Sequence, residues 1–228
     1  MLTAIIVAAG SSRRVGFDKL FAPLNGRPAV AHAIEAFEQA GSVTEIIIIA
    51  REDRHSEMER IVCEQGWKKV QAVVIGGEHR QDSVRAGLAR LGPNARYVAV
   101  HDAARPLITP PQIERVFEQC REHGAAALAE PITDTLKRAD NDLAVSASID
   151  RHQLFAMQTP QVFERKLIEE AYRAVFAADL RVTDEVSAVE HIRRKVVLVP
   201  NEEFNFKITY ERDLKLAEFI LRQRAEST

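Results

Sequence analysis

The sequence predicts an α/β fold: a Rossmann-like, mostly parallel sheet with helices on both faces and an extended β-arm. Three observations carry this. Short β-branched apolar runs alternate with helical stripes up to about residue 130, and the connections between them are short. The alternation then stops over 131–159, where apolar and polar residues alternate around a turn signal. Strand-helix alternation with short connections gives a parallel sheet, because a right-twisted strand followed by a helix returns to the sheet by a right-handed crossover. The 228 residues are read as one domain, 1–228, with 131–159 containing the protruding arm.

Residues 3–7 are a short β-branched run ended by Gly10, the pattern of a strand buried on both faces. Over 28–40 the residues Val30, Ala33, Ile34 and Phe37 form a helical stripe, with Pro28 in a first-turn position and Gly41 just past the end. Residues 45–50 hold four consecutive isoleucines and form the second strand. A helix over 56–65 is ended by Gly66, and a third strand over 70–75 runs into Gly76 and Gly77. Next come a helix over 82–91, a strand over 97–101, a helix over 110–123 capped by Thr109 with prolines behind it, and a strand over 125–130. Inside the break Asp140, Asn141 and Asp142 mark a turn, and Val145, Ala147 and Ile149 alternate with polar neighbours as in a hairpin. Helices are expected again over 164–177, 184–191 and 211–222, and strands over 196–199 and 206–209.

Composition narrows the function classes. A net charge of −2 argues against a general nucleic-acid or membrane-surface binder, since both need a basic excess. No apolar run approaches the roughly 20 residues of a membrane span, and the chain starts on a strand without a signal peptide, so a cytoplasmic protein is expected. Cys63 and Cys120 both fall in helical patterns and read as packing residues, with no disulfide framework or thiolate metal site.

The chemistry begins in the first loop, AAGSSRRVGFDK, which opens over the end of the first strand. Ala8, Ala9, Gly10, Ser11 and Ser12 let backbone N–H groups approach and converge on an anion, and Arg13, Arg14 and Lys19 bring cations to the same place. Distributed negative charge needs several fixed donors at once, so a nucleotide polyphosphate leads. The spacing is neither GxxxxGK[ST] nor GxGxxG. A second reading leaves Gly10 as a turn and the arginines solvated. In VHDAARP, Asp102 lies at the carboxyl edge of a parallel strand, where open α/β sheets bind ligands. Two readings fit it: a magnesium ligand, since that ion uses few carboxylates plus phosphate oxygens and water, or a turn residue paired with Arg105. His101 reads as structural. Gly76 and Gly77, ahead of Arg80, Asp82 and Ser83, form a third loop on this edge, able to meet a base or simply to start a helix with Asp82 or Ser83 as cap.

AAGSSRR with Lys19, then GGEHRQDSV, VHDAARP, ITDTLKR, IDR, TPQ, VTDE and NFKIT, in this order, resemble the 2-C-methyl-D-erythritol 4-phosphate cytidylyltransferases of the non-mevalonate isoprenoid pathway. The match runs from the first strand to the last helix. It implies a reaction of CTP with methylerythritol phosphate, giving the CDP-alcohol and pyrophosphate, with Mg2+ or another hard divalent cation. It implies that Arg14 and Lys19 contact the triphosphate and stabilise the transition state. Ala8, Ala9, Gly10, Ser11, Ser12, Asp102 and Ala103 then belong to the nucleotide site, Asp102 as metal ligand, and Ser83 with the Gly76–Gly77 loop meets cytosine. Thr135, Arg151, Thr159, Thr183 and Lys207 are placed around the acceptor; Arg105 belongs to the same pattern without a definite role. The arm is implied to cross to a partner subunit, making a homodimer. Many relatives have Pro-Lys-Gln where this chain has Asp18, Lys19 and Leu20, which touches loop stiffness and leaves the lysine in place. Relatives also often carry glycine at the position of Ser12.

The chemistry implied is consistent with the residue inventory. The acceptor phosphate is already an anionic nucleophile, so no general base is needed, and no Ser-His-Asp or Cys-His arrangement is offered. Catalysis reduces to alignment and charge neutralisation by Arg14, Lys19, Lys207 and magnesium. Other readings are a cytidylyltransferase for another polyol phosphate such as ribitol 5-phosphate, a sugar-nucleotide pyrophosphorylase, whose loop usually carries more glycine, and a non-catalytic nucleotide-binding module.

Overall fold

The computed structural model describes residues 1–10 and 18–226; Ser11, Ser12, Arg13 and Arg14 of the first loop lie outside the described residues. The alternating half consists of β1 (Leu2–Ala8), the two-residue hairpin strands β2 (Pro23–Leu24) and β3 (Arg27–Pro28), α1 (Ala29–Gln39) and β4 (Val43–Ala50). A 3-10 turn (Glu52–Arg54), α2 (His55–Gln65), β5 (Val70–Ile75), α3 (Arg80–Leu88), β6 (Tyr97–Asp102), α4 (Pro110–His123) and β7 (Ala125–Pro131) continue it. Then come β8 (Leu136–Ala139), β9 (Val145–Ile149), β10 (Phe155–Glu164), α5 (Arg165–Ala177), α6 (Glu185–His191), β11 (Val197–Pro200) and α7 (Glu211–Glu226).

The central sheet has seven strands in the order β11-β7-β10-β6-β1-β4-β5. All neighbours pair in parallel except β10, which is antiparallel to β6 and β7. The chain moves outward from β1 through β4 to β5, then returns to place β6 on the other side of β1. The carboxyl ends of β1 and β6 therefore flank the point where strand order reverses, the position where such sheets open a crevice for ligands. Val7 stands opposite Asp102 there.

Helices cover both faces, and the isoleucine run of β4 shows why. Ile46 and Ile48 pack with Phe37, Val30 and Met58 on the face of α1 and α2, while Ile47 and Ile49 pack with Val84, Leu88 and Val100 on the face of α3. Alternate side chains of a strand point to opposite faces, so an unbroken apolar run is what a strand buried on both sides requires. Each fully buried isoleucine contributes about 1.5–3 kcal/mol of transfer free energy.

Several boundaries differ from expectation. The strand β10 is missed by sequence reasoning because Gln158, Thr159, Pro160 and Gln161 break any apolar pattern. The register against β7 shifts between Met157 and Gln161, and a proline lacking an N–H is tolerated at such an irregularity. The Thr159–Pro160 peptide is cis. The excursion is correspondingly shorter than 131–159: Ile132 N donates to Leu154 O at 3.1 Å to close its base, and residues 155–159 belong to the sheet. The hairpin itself is present, β8 pairing antiparallel with β9 apart from the central sheet. No strand forms over 206–209, and α3 stops at Leu88 instead of reaching residue 91. Cys63 is exposed, not packed; Cys120 is buried, and burial, with Glu164 nearby, pushes its thiol up to about 12. Neither forms a disulfide. Among the described residues no helix is long and apolar enough to cross a membrane.

The close approach of α3 to the sheet depends on Gly87. A Cβ there would lie 2.7 Å from Ile5 Cγ2 and 3.2 Å from Ile49 Cδ1, both on buried strands that cannot yield. Alanine would gain about 1 kcal/mol of helix propensity. Overpacking a filled core costs typically about 1–3 kcal/mol, and here it wins. Gly87→Ala is thus expected to lower the thermal midpoint; a midpoint equal to or above the parent's would show that α3 can move off the sheet.

Candidate active site

The site is built outward from Asp102, the last residue of β6. One carboxylate oxygen, Oδ1, accepts from Arg80 Nε at 3.0 Å, and the other, Oδ2, from Lys207 Nζ at 2.7 Å. Arg80 opens α3, and the fork of its guanidinium donates to Glu185 at 2.6 and 3.0 Å. Glu185 starts α6 and is completely buried; it also accepts from the Tyr172 hydroxyl of α5 at 2.9 Å. Two carboxylates and two cations alternate, so the group is neutral although it is assembled from four separate stretches. Burial alone would push the Asp102 carboxyl up, but Arg80 and Lys207, with Arg105 behind them, outweigh it and hold the group far below the usual carboxylate range. Burial likewise works against the Arg80 charge, and Glu185 and Asp102 more than restore it.

The backbone under Asp102 is fixed by its neighbours. Asp102 N donates to Thr159 Oγ1 at 3.0 Å, and Thr159 Oγ1 lies 3.0 Å from His101 Nδ1. His101 Nε2 lies 3.2 Å from the Arg105 carbonyl, which can only accept. Nε2 is therefore assigned the proton, and Nδ1 accepts from the Thr159 hydroxyl. Burial lowers the His101 pKa to about 3, Asp102 opposing it, so the ring is neutral at pH 7, the structural role expected for it.

Lys207 is carried by a segment without regular structure, and side-chain amides hold that segment in place. Asn205 Nδ2 donates to Gln158 Oε1 and to the Thr159 carbonyl, both at 3.0 Å. Asn201 Nδ2 donates to Gln158 Oε1 at 3.1 Å, and Gln112 donates to Asn201 Oδ1 at 2.9 Å. Ile208 N donates to the Ala104 carbonyl at 2.8 Å, laying the segment along the exit of β6. Lys19 joins from the first loop, its ammonium donating to the Ile208 carbonyl at 2.8 Å, one residue from Lys207.

The glycine loop closes the other side of the cleft. A Cβ on Gly76 would lie 2.6 Å from both Ala9 Cβ and Ser83 Oγ, so only glycine lets this loop rest against the end of β1. A Cβ on Gly77 would lie 2.3 Å from Asp82 Cβ. Ala8 and Ala9 run from β1 to Gly10, which is exposed, and Ala103 N donates to the Val7 carbonyl at 3.1 Å. Asp102, Lys207, Lys19, Ala8, Ala9, Gly76, Gly77, Ser83 and Ala103 thus share one sheet edge. Ser83 is buried with its hydroxyl donating to the His79 carbonyl at 3.3 Å, and at the start of α3 it is Asp82 that caps, accepting from His79 N at 3.2 Å.

Thr159, expected near the acceptor, and Arg105, of the same pattern, both make contacts within the protein. The Thr159 hydroxyl is used within the protein as described, and the Arg105 guanidinium donates to the carbonyls of Asn205 at 2.7 Å and Met157 at 3.2 Å, tying the Lys207 segment to β10. The Asp102–Arg105 side-chain pair of the turn reading is replaced by Arg80 and Lys207. Thr135, Arg151 and Thr183 are exposed. Arg151 donates to the Thr133 carbonyl at the base of the hairpin, and among the described residues no hydrogen bond or ion pair joins any of the three to the Asp102 group. Sequence reasoning missed Arg80, Glu185 and Tyr172 as parts of the site. One signal was available: Glu185 stands beside Val186 and Val189 on the buried side of α6, where an acidic residue needs a partner.

Among the described residues no cluster of three acidic, histidine or cysteine side chains could cage a metal ion. A lone ionised carboxylate at the ligand edge nevertheless suits magnesium that arrives on phosphate oxygens and keeps water for its other positions. Asp102 fits that requirement, with Lys207 as the contact the incoming cation competes against.

The neutral His101 makes folding pH-dependent. Its folded pKa lies below the ordinary 6.5, so the unfolded chain takes up a proton that the folded chain refuses. This contribution to stability is complete above pH 6.5 and is lost as pH falls toward 3, at up to about 1.4 kcal/mol per pH unit. The urea midpoint is expected to drop between pH 7 and pH 4.5. His101→Asn should be less stable at pH 7 with a shallower pH slope, and superimposable slopes would remove His101 as the cause.

Comparison with known proteins converges on one family. The family model described as 2-C-methyl-D-erythritol 4-phosphate cytidylyltransferase matches residues 2–223. A protein of that name from Dehalococcoides mccartyi is 38% identical over 221 residues, covering 96% of each chain. One from Shouchella clausii is 36% identical over 97% of this chain and 96% of its own. The crystal structure of 4-diphosphocytidyl-2C-methyl-D-erythritol synthase from Anaerococcus prevotii superposes with a TM-score of 0.85 at 30% identity, over 97% of this chain and 98% of that one. A sheet edge that gathers cations around an ionised aspartate, and a match running almost end to end, agree: the chain belongs to the 2-C-methyl-D-erythritol 4-phosphate cytidylyltransferase family.

Proposed function

We propose that this nucleotidyltransferase joins CTP to 2-C-methyl-D-erythritol 4-phosphate, giving 4-diphosphocytidyl-2-C-methyl-D-erythritol and pyrophosphate in non-mevalonate isoprenoid precursor synthesis. The observation that carries it is a pair of lysines at the strand-order reversal: Lys207 binds the ionised Asp102, and Lys19 binds the carbonyl of the next residue, Ile208, a grouping of cations that suits a polyphosphate. An acceptor phosphate oxygen attacks the α-phosphorus of CTP. As that bond forms, the bond to the oxygen bridging α and β breaks, and pyrophosphate leaves with the electron pair. No proton need be removed from the acceptor, in keeping with a site of cations and no base.

Lys207 has a half-exposed side chain, 42% accessible, and so can turn from Asp102 toward an incoming phosphate. Lys19 lies beside it and meets the charge that develops on the departing phosphates. Arg80 stays bound to Glu185 and holds Asp102 in place. Arg14, with Ser11 and Ser12, is proposed to contact the triphosphate from the first loop. Magnesium or another hard divalent cation, held by Asp102, would offset the charge of the phosphates. The reading places the enzyme in the cytoplasm, in keeping with its two unpaired cysteines.

Pyrophosphate release from CTP, measured with methylerythritol phosphate and with ribitol 5-phosphate as acceptors, tests the substrate. Release with methylerythritol phosphate alone is expected. Preference for ribitol 5-phosphate would reassign the acceptor, and CTP binding without release on any acceptor would leave a nucleotide-binding module. In the same assay Asp102→Asn should require at least about tenfold more magnesium for half-maximal rate, since the amide loses the charge that holds a hard cation. A magnesium titration overlaying the parent's would exclude Asp102 as a ligand.

The acceptor side is proposed to be completed across a homodimer, with Thr135 and Arg151 supplied by the partner's arm and Thr183 from the body. Support comes from the arm itself. A lone two-stranded hairpin is marginal in water, and Leu143 and Val145 are left 85% and 67% exposed. A self-complementary two-fold contact would cover both arms at once. Lys19→Ala and Arg151→Ala are each expected to be nearly inactive as homodimers, while their purified heterodimer regains about one active site in two. A heterodimer with no recovered activity would place Arg151 in its own subunit's site.

A further inference from the structure

We propose that Asp18, clamped by Arg51 and Arg54, is the positioning residue that fixes Lys19 in the site. The inference rests on the nucleotidyltransferase reading above and concerns the position where this chain has aspartate before the lysine. One oxygen of the Asp18 carboxylate, Oδ2, accepts from Arg51 Nη2 at 3.0 Å and from Arg54 Nε at 2.9 Å, and the side chain is only 15% exposed. Both arginines are themselves aimed by acidic neighbours. Arg51 donates to both oxygens of Asp53 at 2.8 and 2.9 Å, and Arg54 to Glu57 at 2.6 Å. Arg51 directly follows β4 and Arg54 ends the 3-10 turn, so the clamp is rooted in the rigid sheet edge.

The clamp acts on a turn that is fastened elsewhere as well. The Asp18 carbonyl accepts from Phe21 N at 3.2 Å and Ala22 N at 3.0 Å, Leu20 is buried, and its carbonyl accepts from Val30 N at 2.9 Å. The Arg54 guanidinium also lies 5.1 Å above the Phe21 ring. Lys19 projects from between these anchors to the Ile208 carbonyl, beside Lys207. A lysine ammonium rides on a flexible four-carbon stem, so its placement depends on how firmly its backbone is held. A proline would restrict the backbone by its ring; here a half-buried ion pair restricts it from outside. The consequence is that Asp18 acts on catalysis through Lys19 and not by touching substrate.

A double-mutant cycle tests this, with kcat, the KM of each substrate, calorimetric CTP affinity and melting temperature measured for the parent, Asp18→Asn, Lys19→Ala and the double variant. Asp18→Asn is expected to lower kcat roughly 10-fold, the scale of a misplaced catalytic group, with the acceptor KM unchanged and a melting temperature within a few degrees of the parent's. Lys19→Ala should lower kcat by on the order of 10² to 10³. Adding Asp18→Asn to it should cost nothing more, because coupled residues are non-additive. Arg51→Gln/Arg54→Gln should reproduce Asp18→Asn and keeps the test available if that variant folds poorly. Losses that multiply in the double variant, or an Asp18→Asn enzyme with parental kcat and CTP affinity, would overturn the proposal. A parent that binds CTP but turns over no acceptor overturns the reaction reading instead, and the cycle is then read in CTP affinity. A parent that does not bind CTP overturns both.

Discussion

The Asp102 carboxylate sits at the end of β6, largely out of water, and stays ionised because Arg80 and Lys207 each take one of its oxygens. Withdrawing a partner from a buried ion pair typically costs about 3–5 kcal/mol, since a charge is left without solvent or counter-ion. That constraint ties together parts of the chain that share no secondary structure: the start of α3, the end of β6 and the segment before α7. Glu185 extends it, because Arg80 placed between two carboxylates is neutralised on both sides and cannot be drawn off toward a ligand. Lys207, more exposed, is the member left able to change partners.

The irregular backbone around this group is satisfied by side chains. Gln158, Asn201, Asn205 and Gln112 form a buried amide chain, and Gln161 accepts from the N–H groups of Glu185 and Val186 at 3.1 Å. Buried peptide groups outside a helix or sheet must find partners one at a time, and amides both donate and accept. The same economy explains Thr159, whose hydroxyl serves Asp102 N and His101 together. A residue that looks like a ligand contact in the sequence is needed first to hold the ligand-binding backbone.

Much of the sheet was legible because its strands announce themselves. Four isoleucines in β4, the β-branched run of β1 and glycines after β5 are local patterns with one physical solution. The strand β10 was not, since its polar residues 158–161 are there to serve the amide network and its proline sits at a register break. Residues 206–209 were misread for the converse reason: Phe206 and Ile208 alternate with polar neighbours as a strand does, yet Ile208 N bonds the Ala104 carbonyl while its own carbonyl accepts from the Lys19 ammonium, so no ladder forms. Of the site, Asp102 and the glycine loop could be placed by their position at strand ends. Glu185 and Tyr172 could not, because each is defined by what it meets across the fold.

By itself the sequence determined the α/β class, the strand-end location of the chemistry and, through motifs in fixed order, the family. These follow from short-range facts: the period of apolar residues, the backbone freedom of glycine, and residue types at set spacings. Only the tertiary structure decided which cations hold Asp102, that Thr159 and Arg105 brace the site from within, and that Asp18 is gripped by two arginines more than thirty residues away. Charge pairing in a low-dielectric interior depends on distance in space, and spacing along the chain carries almost none of that information.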